Sequence, residues 1–242
     1  LPDNIKFYGI DPPGLGESPD TDDWSWDGVN SMVIDAVREI SEAEGKPVIL
    51  VGACSGSFHA LETARREQQY VERLYLIEPF AYFPWYIFPF ATPPTGPVLL
   101  YSIFGSPVGR KLFQTALTMA GLTGGYDTMS SFAKVHWRHL YNYLRIYYEA
   151  SLRGADVFGT ITVPKRIYSG SKTVGAIKES LDIWRRVFGD EELEIQILEG
   201  VGHQVTQEDP VVITEMVFDD VIAEEAARAI QDDYPKEVAS AE

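Results

Sequence analysis

A chain of 242 residues, 45% hydrophobic and 23% charged, suits one globular domain with room for an inserted subdomain. Its formal net charge of −16 argues against nucleic acid and anionic membrane as partners, since both would repel it. Its single cysteine excludes an internal disulfide and a Cys-based zinc site, and fits a reducing compartment, so the cytoplasm is the favoured location.

Residues 5–10 form a short β-prone run that ends in the turn formers Asp11-Pro12-Pro13-Gly14-Leu15-Gly16-Glu17-Ser18. Between Trp26 and Gly45, the residues Val29, Met32, Val33, Ala36, Val37 and Ile40 recur at helical spacing, and Gly45 supplies the stop. Residues 47–51 are apolar without alternation, which predicts a strand buried on both faces. A helix over 58–69 and a strand over 73–77 follow, so the pattern is that of a parallel sheet with crossover helices. It stops over residues 79–159, which hold most of the aromatics and two helix-like pieces near 108–120 and 136–152. The apolar stretch 79–90 is broken by Pro79, Pro84 and Pro89, and is too short to span a bilayer. The sheet pattern resumes at 163–168, with a helix over 176–187 and a strand over 193–198 before Gly202-His203. A closing helix carrying Ile213, Met216, Val217, Val221 and Ile222 is expected after Asp209-Pro210, then an acidic tail. The expected division is a core of residues 1–78 and 160–242 around an aromatic-rich helical cap at 79–159.

The sequence Gly52-Ala53-Cys54-Ser55-Gly56 between a strand and a helix has the layout of a nucleophile elbow, a sharp turn that pushes one side chain out above a sheet. Glycines two residues either side are expected because the strained backbone leaves no room there for a Cβ. A lone cysteine is just as often a small buried hydrophobe, so the elbow spacing carries the argument. Of the other histidines, His59 on the elbow helix and His136 and His139 in the inserted segment are read as packing or surface residues.

Three motifs in this order resemble the α/β-hydrolase superfamily: Asp11-x-Pro13-Gly14-x-Gly16-x-Ser18, Gly52-x-Cys54-x-Gly56, and Gly202-His203 after the last strand. The resemblance covers nearly the whole chain. It implies an α/β fold with a mostly parallel sheet, flanking helices and an inserted helical cap. It also implies Cys54 as nucleophile, where most relatives carry serine, His203 as the proton shuttle, and the backbone N–H of Ser55 as one oxyanion donor. At the family's usual acid position this chain carries Thr173, in Gly170-Ser171-Lys172-Thr173. The second acid position known in the family falls on Glu78, in Leu76-Ile77-Glu78-Pro79; the competing reading has Glu78 bonding only backbone amides. Asp182 is a poorer candidate, inside a predicted helix.

The resemblance places the first strand of this chain at the family's fourth. A segment upstream of Leu1 is therefore expected to complete the sheet and supply the second oxyanion donor, and direct pairing of 5–10 with 47–51 is the alternative. A cysteine nucleophile suits acyl transfer on an ester, lactone or thioester of a moderately apolar small-molecule substrate. The alternative is a catalytically silent relative that binds a ligand or partner under the cap. Phe80, Phe83, Trp85 and Tyr147 are candidate pocket-lining residues; the competing reading makes the aromatics cap core or a homodimer contact. No cofactor and no metal is expected.

Overall fold

The Ser25 hydroxyl accepts a hydrogen bond from the Gly28 N–H and starts helix α1 (Trp26–Glu44), which Gly45 closes at φ 68°. The structure, a computed structural model, describes residues 5–119, 135–189 and 191–203 together with Met129, Phe218 and Ile222. Of the stripe read from the sequence, Val29, Val33 and Val37 are buried, whereas Met32 faces outward.

Strands β1 (Val48–Ala53), β2 (Val71–Ile77), β3 (Lys165–Gly170) and β4 (Leu193–Leu198) pair in that order, all parallel. Helix α2 (Gly56–Arg66) carries the chain from β1 to β2. Between β2 and β3 come α3 (Phe88–Ala91), α4 (Thr95–Phe104), α5 (Pro107–Met119) and α6 (Trp137–Ser151). Helix α7 (Gly175–Phe188) returns the chain from β3 to β4. Sheet, α2 and α7 share one core of Leu61, Leu74, Leu76, Ile167, Trp184 and Phe188. A second core joins Trp26, Val29 and Phe58 to Phe83, Ile146 and Tyr147, and so seats the inserted helices on α1 and α2. Each such side chain contributes about 1.5–3 kcal/mol by leaving water, so the insertion is anchored by its aromatic face rather than by its ends.

Two expectations about the sheet are corrected. Residues 5–10 form no strand; the segment is instead held to the end of α1, where Lys6 Nζ and Tyr8 OH reach Glu44 at 2.8 and 2.6 Å. A strand exists only through its ladder, and among the described residues none lies beside this segment, so the direct pairing with β1 does not form. Among the described residues β1 is therefore the end strand of the sheet, and it is not buried on both faces: Val51 is 41% exposed. The expected closing helix after Pro210 lies outside the described residues.

Candidate active site

The position of Cys54 follows from the last rung of the β1–β2 ladder. Ala53 pairs with Ile77, and one residue later Cys54 turns to φ 50° while its N–H donates to the Ile77 carbonyl at 2.8 Å. Among the described residues, Cys54 and Glu78 are the non-glycine positions with positive φ, a conformation that costs about 1–2 kcal/mol and persists only where surrounding contacts impose it. A Cβ is excluded on one side of the elbow only. A Cβ on Gly52 would lie 2.7 Å from Ala60 Cβ and 2.8 Å from Ser57 Cα, whereas a Cβ on Gly56 would meet nothing within 4 Å. Gly56 opens α2 and its Cβ direction is free; the elbow's tightness lies between the strand end and the helix behind it.

Glu78 stands one residue past β2 at φ 53° and is 1% exposed. Its Oε1 accepts from Ser169 Oγ at 2.9 Å and from the Gly170 N–H at 2.6 Å. Its Oε2 accepts from Thr173 Oγ1 and lies 2.8 Å from His203 Nδ1. Glu78 thus bonds one backbone amide, two hydroxyls and the histidine, and not backbone amides alone. Thr173, at the position where the resemblance expects an acid, donates its hydroxyl to Glu78. Asp182 is exposed and pairs with Arg185 at 3.0 Å.

The loop bearing His203 is stapled to the end of β3. Ser171 and Lys172 N–H groups donate to the Leu198 and Val201 carbonyls at 2.9 Å, and Gly200 N–H donates to Ser171 Oγ at 2.9 Å. The approach requires glycine at 170, where a Cβ would fall 2.3 Å from the Val201 oxygen. His203 then presents Nε2 to Cys54 Sγ at 3.7 Å. Burial works against the charged imidazole, but the hydrogen bonds to Cys54 and Glu78 outweigh it and hold His203 up at about 10. Cys54 stands two residues before the start of α2, and its carbonyl accepts from the Ser57 N–H at 3.1 Å.

Around this line the aromatic candidates divide. Phe80 packs edge-on to the His203 ring at 5.6 Å. Phe83 is buried between Phe88 and Tyr148. Tyr147 stacks on Phe58 at 5.4 Å and reaches the elbow helix through His59. Trp85 is 78% exposed and its ring meets Tyr86; no contact brings it to Cys54, Glu78 or His203. The sequence assigns no role to Ser169 or Gly170, although Gly170 opens the Gly170–Thr173 segment that lacks an acid and Ser169 directly precedes it. Among the described residues no group of His, Cys, Asp and Glu is arranged to hold a metal ion, and no helix is long and apolar enough to cross a membrane.

A nucleophile elbow, a histidine from the last loop and a buried acid, all at one end of a parallel sheet, define a protein of the α/β-hydrolase class. The model of the alpha/beta hydrolase family matches residues 1–215, and the chain belongs to that family. It is similar in fold to the enol-lactonase from Burkholderia xenovorans LB400, at 16% identity and TM-score 0.61, covering 88% of this chain and 79% of that one. An epoxide hydrolase from Vigna radiata is similar at 18% identity and TM-score 0.64, covering 88% and 80%. MenH from S. aureus is similar at 14% identity and TM-score 0.64, covering 89% and 83%. No curated protein matches the chain.

Proposed function

We propose that this protein is an acyl hydrolase or acyltransferase in which Cys54 is the nucleophile, His203 the proton carrier and Glu78 the orienting acid. The observation that carries the reading is the unbroken line Cys54 Sγ to His203 Nε2 at 3.7 Å and His203 Nδ1 to Glu78 at 2.8 Å. In the reaction, sulfur attacks the carbonyl carbon of an ester, lactone or thioester, and the oxyanion forms beside the Ser55 N–H. Collapse of the tetrahedral intermediate breaks the bond to the leaving group, which takes the proton from His203. Water or an acceptor thiol or alcohol then attacks the acyl-cysteine, giving its proton to His203 and releasing Cys54. Phe80, against the imidazole, supports a moderately apolar acyl group. We infer further that a strand outside the described residues pairs along the uncovered edge of β1 and brings the second oxyanion donor; the exposure of Val51 supports this.

The test is hydrolysis of p-nitrophenyl butyrate combined with iodoacetamide labelling of Cys54. Hydrolysis with a transient acyl adduct on Cys54, and labelling at neutral pH faster than that of an ordinary thiol, are expected. His203→Ala should abolish the excess labelling rate and lower kcat/KM by roughly a thousandfold. Ordinary labelling with no ester turnover would favour the silent, ligand-binding reading.

A further inference from the structure

Residues 79–82 carry the chain from β2 into the insertion, and α7 holds them by three hydrogen bonds that the proposed reaction leaves unused. The β2–β3 pairing fixes the chain as far as Glu78, whose N–H donates to the Tyr168 carbonyl at 2.9 Å. The chain then leaves the ladder through the turn at Glu78, φ 53°, a conformation that persists only where contacts impose it. Those contacts come from α7. Trp184 Nε1–H donates to the Pro79 carbonyl at 3.3 Å, the Ala81 N–H donates to Ser180 Oγ at 3.0 Å, and the Tyr82 hydroxyl donates to Glu179. Ser180 and Trp184 are both 0% exposed. The Ser180 hydroxyl gives its hydrogen to the Ala176 carbonyl at 2.7 Å, so it meets the Ala81 N–H with a lone pair. A serine inside a helix is otherwise a poorer choice than alanine; here it satisfies a buried backbone N–H. Trp184 meets Phe158 and stacks on Phe188 at 5.5 Å and 12°, so its N–H has a fixed direction.

The residue between the two backbone anchors is Phe80. While Pro79 and Ala81 bond to α7, the Phe80 ring lies against the His203 imidazole, centroids 5.6 Å apart at 65°, and Glu78 Oε2 is 2.8 Å from His203 Nδ1. We propose that Ser180 and Trp184 are positioning residues: by fixing residues 79–81 they hold the Glu78 carboxylate and the Phe80 ring against His203, and so keep its Nε2 aimed at Cys54. They serve the acyl-transfer reading above, on which the proposal rests, and act at one remove from the reacting atoms. Their loss therefore disturbs the orientation of the imidazole and leaves substrate contacts in place.

Ser180→Ala removes the acceptor for the Ala81 N–H, and Trp184→Phe removes the donor to Pro79. In both, kcat for p-nitrophenyl butyrate should fall by about tenfold at unchanged KM, within the roughly hundredfold that a misplacement of about 1 Å can cost. Imidazole ¹⁵N spectra should show the His203 midpoint, at about 10 in the wild type, lower by about one pH unit as the carboxylate moves off, a tenfold change in its protonation equilibrium. Leu193→Ala is the structural control. Leu193 opens β4, at the opposite end from the His203 loop, and packs in the same core as Trp184. Its replacement should lower the urea midpoint while kcat and the His203 midpoint stay as in the wild type. If Trp184→Phe does not fold, Ser180→Ala decides alone. A wild-type His203 midpoint in Ser180→Ala overturns the proposal, whether or not kcat falls, and equal losses in Leu193→Ala overturn it as general destabilisation. A wild-type protein without ester turnover overturns the acyl-transfer reading, and the His203 midpoints of the variants still decide whether Ser180 and Trp184 hold the imidazole.

Discussion

Glu78 is a carboxylate with four donors aimed at it, and that number decides what its replacement does. In Glu78→Gln the shape stays and the negative charge goes, while the new amide NH₂ faces donors that it cannot satisfy. Loss of the partner that helps hold His203 charged should cut kcat for p-nitrophenyl butyrate by as much as about 10⁴-fold. The unsatisfied donors should cost about 1–3 kcal/mol in urea unfolding. Cys54 and Glu78 were legible in the sequence because each follows a short apolar strand and precedes a punctuating residue, Gly56 or Pro79. The hydrogen bonds of His59 to Asn30 and Tyr147 were not, since the partners lie 29 and 88 residues away and His59 alone looks like any packed histidine. Trp85 shared its aromatic run with Phe80 and Phe83; composition gave no sign of which ring would turn outward.

At the scale of elements, the elbow is a contact between a strand end and the first turn of a helix. Gly52→Ala forces a methyl against Ala60 and the Ser57 backbone, and should destabilise by about 1–3 kcal/mol while slowing ester hydrolysis. Gly56→Ala meets open space at the start of α2, and should stabilise by about 0.4–1 kcal/mol. Paired urea titrations and rates for the two variants check this, and equal effects would contradict it. The core strands and long helices were read to within a few residues because their apolar patterns are local. Residues 5–10 have the same local preference but no ladder partner among the described residues, so their pattern did not make a strand.

For the whole molecule, two histidines pull stability in opposite directions with pH. Burial depresses His59 in the fold to about 4; its contribution is complete above its unfolded value near 6.5 and is lost as pH falls from there toward 4. At about 1.4 kcal/mol per pH unit, this arm amounts to roughly 3 kcal/mol. His203 is raised to about 10; its contribution is complete below 6.5 and is lost as pH rises toward 10. Urea midpoints should therefore peak near pH 6.5. His203→Gln should flatten the alkaline arm and leave the acid arm in place, and an alkaline arm that survives the substitution would contradict the assignment.

Cys54 and Glu78 each sit a single step beyond neighbouring rails of the same parallel pair, since Ala53 faces Ile77. The spacing between the Cys54 sulfur and the Glu78 carboxylate is thus measured out by backbone register, with no side chain acting as ruler. Chemistry at either site is consequently exchangeable in place, by Cys54→Ser for example, without re-cutting the scaffold. Removing one residue from β2, by contrast, would displace the acid by a full rung and turn it to the opposite side.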